Sequence, residues 1–231
     1  LLKELALKAP GTYQHSLQVA NIAEEAAKKI DANALQVHVG ALFHDVGKMR
    51  YPQYFIENQR PSQNPHSEME AMQSAQVIIN HVPYGEEMAH EYGLPTEIID
   101  FIKTHHGTSR VEYFYRKHLK KNPDADPGIE REFRYPGPRP ASKEQAIVMI
   151  ADSIEAASRA LDNPGPEDLE RLVATIVETK VNDGQLARAQ ITFRDLAIIR
   201  EEILKLLLSI HHHRVSYGGE AAKQPASSSN N

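Results

Sequence analysis

The chain has no cysteine among its 231 residues. That absence removes disulfides and thiolate metal sites together, so any bound metal must be held by His, Asp or Glu. No run of about eighteen apolar residues occurs, so no segment is expected to span a membrane. The start lacks the pattern of a signal peptide, and Leu1 is not an initiator methionine, so the sequence reads as a soluble piece of a longer protein. No Lys/Arg block stands out and the net charge is -5. This argues against a groove for a nucleic-acid polymer, yet leaves room for a small phosphorylated ligand met by a few cations. Alternating strand patterns are nearly missing as well.

What is present is helical periodicity, in a chain long enough for one or two domains with a substantial core. Residues 13–30 place Leu17, Ala20, Ile22 and Ala26 on one apolar face, with Glu and Lys opposite. Residues 34–49 form a short, largely apolar helix, which implies burial on most sides, with Gly47 as its stop. A third helix begins near Ser67, with Glu70 three residues on as in a capping box, and runs to 82. The stretch 94–107 has Pro95 in its first turn and Gly107 as its C-terminal stop. Residues 107–142 are rich in Pro, Gly and charge and read as one long loop, of the kind that is functional or disordered. Helices over 143–161 and 167–184 follow, separated by Pro-Gly-Pro. The last helix, 192–210, opens on a capping box of Thr192 and Asp195. The expected fold is all-α: one helical domain over 1–214 and a disordered tail over 215–231.

Twelve histidines are the informative excess. His15, His44, Asp45, His81, His105, His106 and Asp152 each lie on or at the end of a predicted helix, flanked by apolar residues. A lone His near a helix end is commonly a cap or a surface residue, and a lone Asp can simply meet an Arg. The coincidence of adjacent His-Asp, adjacent His-His and isolated His and Asp favours metal binding. Helix ends packed around one pocket deliver such ligands to a common point. These donors are too many for one ion with an open position; they suit two ions sharing Asp45, the arrangement that hydrolyses phosphodiesters. His38, His66, His90 and His118 have no comparable setting and read as structural. His211, His212 and His213 read as a solvated terminus. Lys48, three residues beyond Asp45, can serve the helix dipole or reach a phosphate oxygen, and the second role is favoured if the metal site is real.

The order His15, His44-Asp45, then distant Asp152 resembles the HD phosphohydrolase superfamily, and His81 with His105-His106 resembles its binuclear members. The continuation "HHGTSRVEYFY" lacks the GYP-type motif of the branch that hydrolyses cyclic di-GMP. Across nearly its whole length the sequence looks like the cytoplasmic HD domain of the membrane-anchored PgpH-type family, in "APGTYQHSLQVANIAEEAA", "GALFHDVGKM", "ENQ" followed by "NPH", "HHGT", "FRYPGPRPASKEQAIVMIADSIEAASRAL", "DGQL" and "HHHR". It departs from the family after "NPH" and in the length of the final His run. The resemblance implies an HD-domain helical bundle holding two iron or manganese ions, one on His15, His44, Asp45 and Asp152, the other on Asp45, His81, His105 and His106. It implies hydrolysis of cyclic di-AMP to linear pApA by a metal-activated hydroxide, at the cytoplasmic face of a bacterial membrane, by a domain carried on a transmembrane region outside this chain; a homodimer is among the expected assemblies. Asp45 and Lys48 are then the catalytic candidates, and Lys48, Thr108, Arg134, Tyr135 and Arg159 the candidate substrate contacts. For Arg159 a pairing with Glu155 stands beside that role, and for Tyr135 anchoring of the loop. The rival readings are another nucleotide substrate (cyclic di-GMP, a linear dinucleotide or a nucleoside triphosphate) and a nucleotide-sensing module without useful turnover.

Overall fold

A computed structural model of the chain describes residues 1–59 and 64–218, with side chains through His211. Its α-helices are α1 (Leu2–Lys8), α2 (Pro10–Lys29), α3 (Ala34–Phe43), α4 (Ala71–Ile79), α5 (His81–Glu91), α6 (Thr96–Thr104), α7 (Glu112–Lys121), α8 (Lys143–Arg159), α9 (Pro166–Asn182) and α10 (Phe193–Gly218). Among the described residues there is no strand, only an isolated bridge between Arg110 and Arg134, so the all-α expectation holds.

The axis of the fold is α8. Its residues Ala146 through Asp152 are all buried, because α2, α3, α6 and α9 enclose it. A helix apolar on every side belongs at the centre of a bundle, and α8 therefore carries Asp152 into the interior. One core cluster joins α2, α3, α8, α9 and α10 through Val19, Ala23, Val37, Ile150, Val173 and Ile203. A second lies at the other end of α2, where Leu5, Ala9, Val46, Met49, Ala89, Ile99 and Ile102 meet. Small residues allow close approach. A Cβ on Gly40 would lie 2.4 Å from the Phe101 ring, so α3 and α6 pack through a glycine face.

Several boundaries differ from the sequence reading, each for a local reason. The helix expected over 34–49 ends at Phe43 and continues after a turn as 3₁₀ structure over Val46–Arg50. Gly47 is thus no helix stop. It sits inside that segment because a Cβ there would meet the His81 carbonyl oxygen at 1.9 Å and the Gly85 nitrogen at 2.4 Å. Ser67 does not cap α4; its hydroxyl donates to the Asn64 carbonyl at 2.7 Å, and the helix starts at Ala71. Pro95 is the residue before α6 rather than part of its first turn. Helix α5 has Pro83 and Gly85 in its first half, which hides its period, although Pro is tolerated in a first turn. The supposed long loop of 107–142 contains α7 and a 3₁₀ stretch, Pro127–Phe133. The thin apolar stripe of α7 is enough because Phe114 buries against Ala71, Ala75 and Phe133. Gly107 ends the α6 region as expected, with φ of +53°.

The Thr192–Asp195 capping box is present: the Thr192 N–H donates to Asp195 Oδ2 at 2.9 Å, and the Asp195 N–H to Thr192 Oγ1 at 3.0 Å. Helix α10 runs to Gly218, beyond the expected domain end at 214. Residues 219–231, the greater part of the tail assigned to 215–231, and the side chains of His212 and His213 lie outside the described residues.

Candidate metal centre

One local device places three of the histidines. His44 follows α3, His81 follows the last turn of α4, and His105 follows α6, so each lies where helix carbonyls have lost their intrahelical partners. Each ring turns back and donates Nδ1–H to the carbonyl three residues before it: His44 to Ala41 at 2.6 Å, His81 to Ile78 at 2.6 Å, His105 to Ile102 at 2.8 Å. A carbonyl can only accept, so Nδ1 carries a hydrogen and Nε2 is the ring atom left facing inward. His15 reaches the same state differently. It projects from the first half of α2, and its Nδ1 meets Glu155 Oε2 at 2.5 Å.

All these Nε2 atoms converge on Asp45. Its Oδ2 lies 3.2 Å from His44 Nε2 and 3.5 Å from His15 Nε2, while its Oδ1 lies 3.3 Å from His81 Nε2 and 3.6 Å from His105 Nε2. Asp152, from α8, comes within 3.0 Å of His15 Nε2 and 3.6 Å of His44 Nε2 through Oδ1, and within 3.7 Å of His106 Nδ1 through Oδ2. Two groups of donor atoms result, each with its members within 4.8 Å of one another: His15, His44, Asp45 and Asp152, and Asp45, His81, His105 and His106. The seven positions singled out in the sequence are therefore brought together, with Asp45 in both groups.

The donor set fits two cations. Asp45 is 1 % exposed, yet among the described residues neither carboxylate oxygen has a hydrogen-bond partner, and His44 Nε2 has none either. Lys48 Nζ stands 2.7 Å from Oδ2 as an ion-pair contact without hydrogen-bond alignment. Buried carboxylate oxygens without hydrogen bonds are costly, and coordination to a cation offsets that cost. Charges in the pocket respond accordingly. Burial pushes the Asp45 carboxyl up, but Lys48 and His44 outweigh it and hold it well below the usual carboxylate range. Asp152 is held down in the same way, against its burial, by His15 and His44. Burial alone would depress His15 and His44; Asp152 with Glu155 raises His15 to about 9, and Asp45 with Asp152 raises His44 to about 10. On the other side burial prevails: His105 falls to about 4 and His106 well below its ordinary value. His15 and His44 hold protons against the carboxylates, while His105 and His106 are neutral and ready to ligate.

The remaining candidates divide. Lys48 is clamped between Asp45 and Glu57, 3.0 Å from Glu57 Oε1. Glu57 also accepts from Thr12 Oγ1 at 3.0 Å, and Asn58 Oδ1 accepts from the N–H groups of Gly11 and Thr12 at 2.9 and 3.2 Å, capping α2 from across the fold. Tyr135 is buried and stacks on His106, centroids 4.2 Å apart at 27°, so its ring braces a donor histidine rather than standing open to a base. Arg134 is already engaged: Nε donates to Glu130 at 2.8 Å, Nη1 to the Thr108 carbonyl at 2.8 Å, and both Nη groups face Asp183 at 3.3 Å. Arg159 Nη1 lies 3.7 Å from Glu155 Oε1, one turn back, the pairing that stood beside its substrate role. Thr108 is tied to Gln185 through its N–H at 2.9 Å and its hydroxyl at 3.0 Å.

Glu155, Glu57 and Gln185 are functional positions that sequence reasoning missed. Glu155 had a signal, since it lies three residues after Asp152 and so on the same helical face; Glu57 and Gln185 had none beyond their place in "ENQ" and "DGQL". His38, His66, His90 and His118 lie outside both donor groups. His66 donates Nε2–H to the Tyr54 carbonyl at 2.8 Å, and its ring lies against Tyr54 and Phe114.

Comparison with known proteins agrees with this geometry. Residues 12–157 match the HD domain family model. The chain is 44 % identical over 224 residues to the cyclic-di-AMP phosphodiesterase PgpH of Bacillus subtilis, covering 97 % of this chain and 31 % of that protein. It is 42 % identical over 217 residues to PgpH of Listeria monocytogenes, covering 94 % of this chain and 30 % of that protein. The chain therefore spans about a third of the length of these relatives. The PgpH HD domain of L. monocytogenes, solved in complex with cyclic-di-AMP, superposes with a TM-score of 0.87 at 42 % identity over 90 % of this chain and 96 % of that one. With a donor set that matches its fold, this chain belongs to the HD domain family, beside the PgpH HD domains.

Proposed function

We propose that this chain is the catalytic domain of a metal-dependent phosphodiesterase that opens cyclic di-AMP to linear pApA. The observation that carries the reading is Asp45: a buried carboxylate with one oxygen turned to each of two donor groups and no hydrogen bond to either. Two divalent ions, when bound, make a water nucleophilic near neutral pH and draw charge from the phosphoryl oxygens. The side chains do the rest. Asp45 presents one oxygen to each group, and the backbone-anchored histidines keep their lone pairs aimed without reorganisation. Lys48, a cation held by two carboxylates, offsets charge on a non-bridging phosphate oxygen. Tyr135 and Arg134 hold the "FRYPGP" segment against His106, and Arg159 acts through Glu155.

Iron and manganese are the proposed metals, since nitrogen and carboxylate donors without thiolate suit both. The substrate follows from the likeness to a domain solved with cyclic-di-AMP. The likeness to the PgpH-type family supports placing the domain at the cytoplasmic face of a membrane, with the working unit over residues 1–214 and a homodimer as its assembly.

The test is a substrate panel on protein loaded with Fe(II) or Mn(II): cyclic di-AMP, cyclic di-GMP and a linear dinucleotide, with products separated by chromatography. Cyclic di-AMP should yield pApA, and replacing both His44 and Asp45 with Ala should abolish turnover and metal content together. Cyclic di-AMP left intact after long incubation overturns the reading. Binding without turnover would make the chain a sensor.

A further inference from the structure

The turn that follows the His105-His106 pair is held from all sides. The Ser109 N–H donates to the His106 carbonyl at 3.0 Å, and the Ser109 carbonyl accepts from the Tyr135 N–H at 2.9 Å. Thr108 is fixed by Gln185, which is fully buried. Two cations from distant parts of the chain are hung on this turn. Lys180, near the end of α9, donates Nζ–H to Ser109 Oγ at 3.1 Å, and Arg139 donates Nε–H to Thr108 Oγ1 at 3.0 Å.

Among the described residues neither cation has a carboxylate within ion-pair distance, unlike Lys48, Arg134 and Arg159. A lysine at a helix C-terminus commonly lies along the surface with its charge in water. Lys180 instead turns inward to a neutral hydroxyl, and its burial pushes the ammonium below its usual range while Asp152 and Asp183 oppose that only from a distance. A half-buried cation without an adjacent anion is costly, and this one is hung on Ser109, three residues beyond the donor His106. The metal ions would add positive charge on that side. The arrangement is complete only when an anion lies over the turn.

Cyclic di-AMP carries two phosphodiesters on opposite sides of its ring. One must lie at the donor groups to react; the other keeps its charge and needs a counter-cation. We propose that Lys180, with Arg139 beside it, binds the phosphate that is not being hydrolysed. The inference rests on the substrate proposed above and makes Lys180 a specificity residue for ligands with two phosphates.

The experiment compares the unaltered protein with Lys180→Met, Lys180→Gln and Lys180→Arg on two substrates: cyclic di-AMP, and bis(4-nitrophenyl) phosphate, which has one diester and no second phosphate. Loss of a hydrogen-bonded charge should raise KM for cyclic di-AMP about 10- to 100-fold in K180M and K180Q. The kcat for cyclic di-AMP and both constants for the single diester should stay near the unaltered values, and K180R should recover most of the loss. Metal content and melting temperature report whether a variant is intact; K180Q serves if K180M does not fold. An equal loss on both substrates, or no change with cyclic di-AMP in an intact variant, overturns the proposal. If the unaltered protein cleaves the single diester but ignores cyclic di-AMP, it is the substrate assignment that has failed, and this inference goes with it.

Discussion

At the scale of single residues, Glu155 shows how much of a metal site lies behind its ligands. Its carboxylate is 2 % exposed and its Oε2 meets His15 Nδ1 at 2.5 Å, a contact that sets the ring's orientation and makes Nε2 the ligating nitrogen. Partners of this kind are worth about 10- to 100-fold in metal affinity. Glu155→Gln should therefore bind metal at the His15 group that much more weakly, as titration with Mn(II) would measure, and retain the all-α circular dichroism spectrum. Unchanged affinity would show that α2 alone holds His15 in place. The sequence made the donor residues themselves legible, because adjacent His-Asp and His-His stand out inside apolar runs. It did not reveal Glu155, Glu57 or Gln185, since a carboxylate or amide facing a ligand has no local signature until the two helices are packed.

At the scale of elements, the 3₁₀ segment after α3 lies on α5 through two glycines. A Cβ on Gly47 would enter the His81 carbonyl and the Gly85 nitrogen, both backbone atoms that cannot swing aside. Gly47→Ala should destabilise the fold by about 3 kcal/mol, the upper end for overpacking because both clashes are with backbone, and lower the melting temperature by about 6–12 °C in a domain of this size. It should also loosen metal binding, because the displaced element carries His81. Gly93→Ala is the control: nothing lies within 4 Å of its added Cβ, and only its φ of +65° resists, so a loss of about 1 kcal/mol is expected with metal binding intact. Thermal melts and metal titration of the two variants check this. Taken alone, "HDVGK" has the form of a helix stop at Gly47. What places a glycine there is contact with a segment almost forty positions away, which no local pattern contains.

At the scale of the whole molecule, the centre couples folding to pH. In metal-free protein His15 and His44 are raised to about 9 and 10 from an ordinary 6.5. Their stabilising contribution is complete below about pH 6.5 and is lost as pH rises through those values. His105 and His106 are depressed, His105 to about 4, so the unfolded chain takes up their protons first and stability falls as pH drops from about 6.5 towards 4. Each group contributes a slope of up to about 1.4 kcal/mol per pH unit. Chelator-treated protein should therefore melt highest near pH 6.5 and lower on both sides. Loaded protein should differ above that pH, gaining stability as His15 and His44 lose their protons to become ligands. A melting temperature of chelator-treated protein that climbs steadily from pH 6.5 to 9 would contradict the protonated state of the His15 group.

Composition, helical period and the rare pairings of His and Asp by themselves determined a great deal: a helical domain, no thiolate chemistry, and the identity of every donor in the two groups. These are properties of single residues and of repeats within one helix, so they survive in one dimension. Tertiary structure decided the rest. It showed that Asp45 turns one oxygen to each group, that Tyr135 braces His106, that Arg134 and Arg159 are engaged by carboxylates, and that Lys180 and Arg139 have none within ion-pair reach among the described residues. Each of these depends on which charges and rings meet across helices far apart in sequence, and Coulomb energy and burial are functions of distance in space, not along the chain.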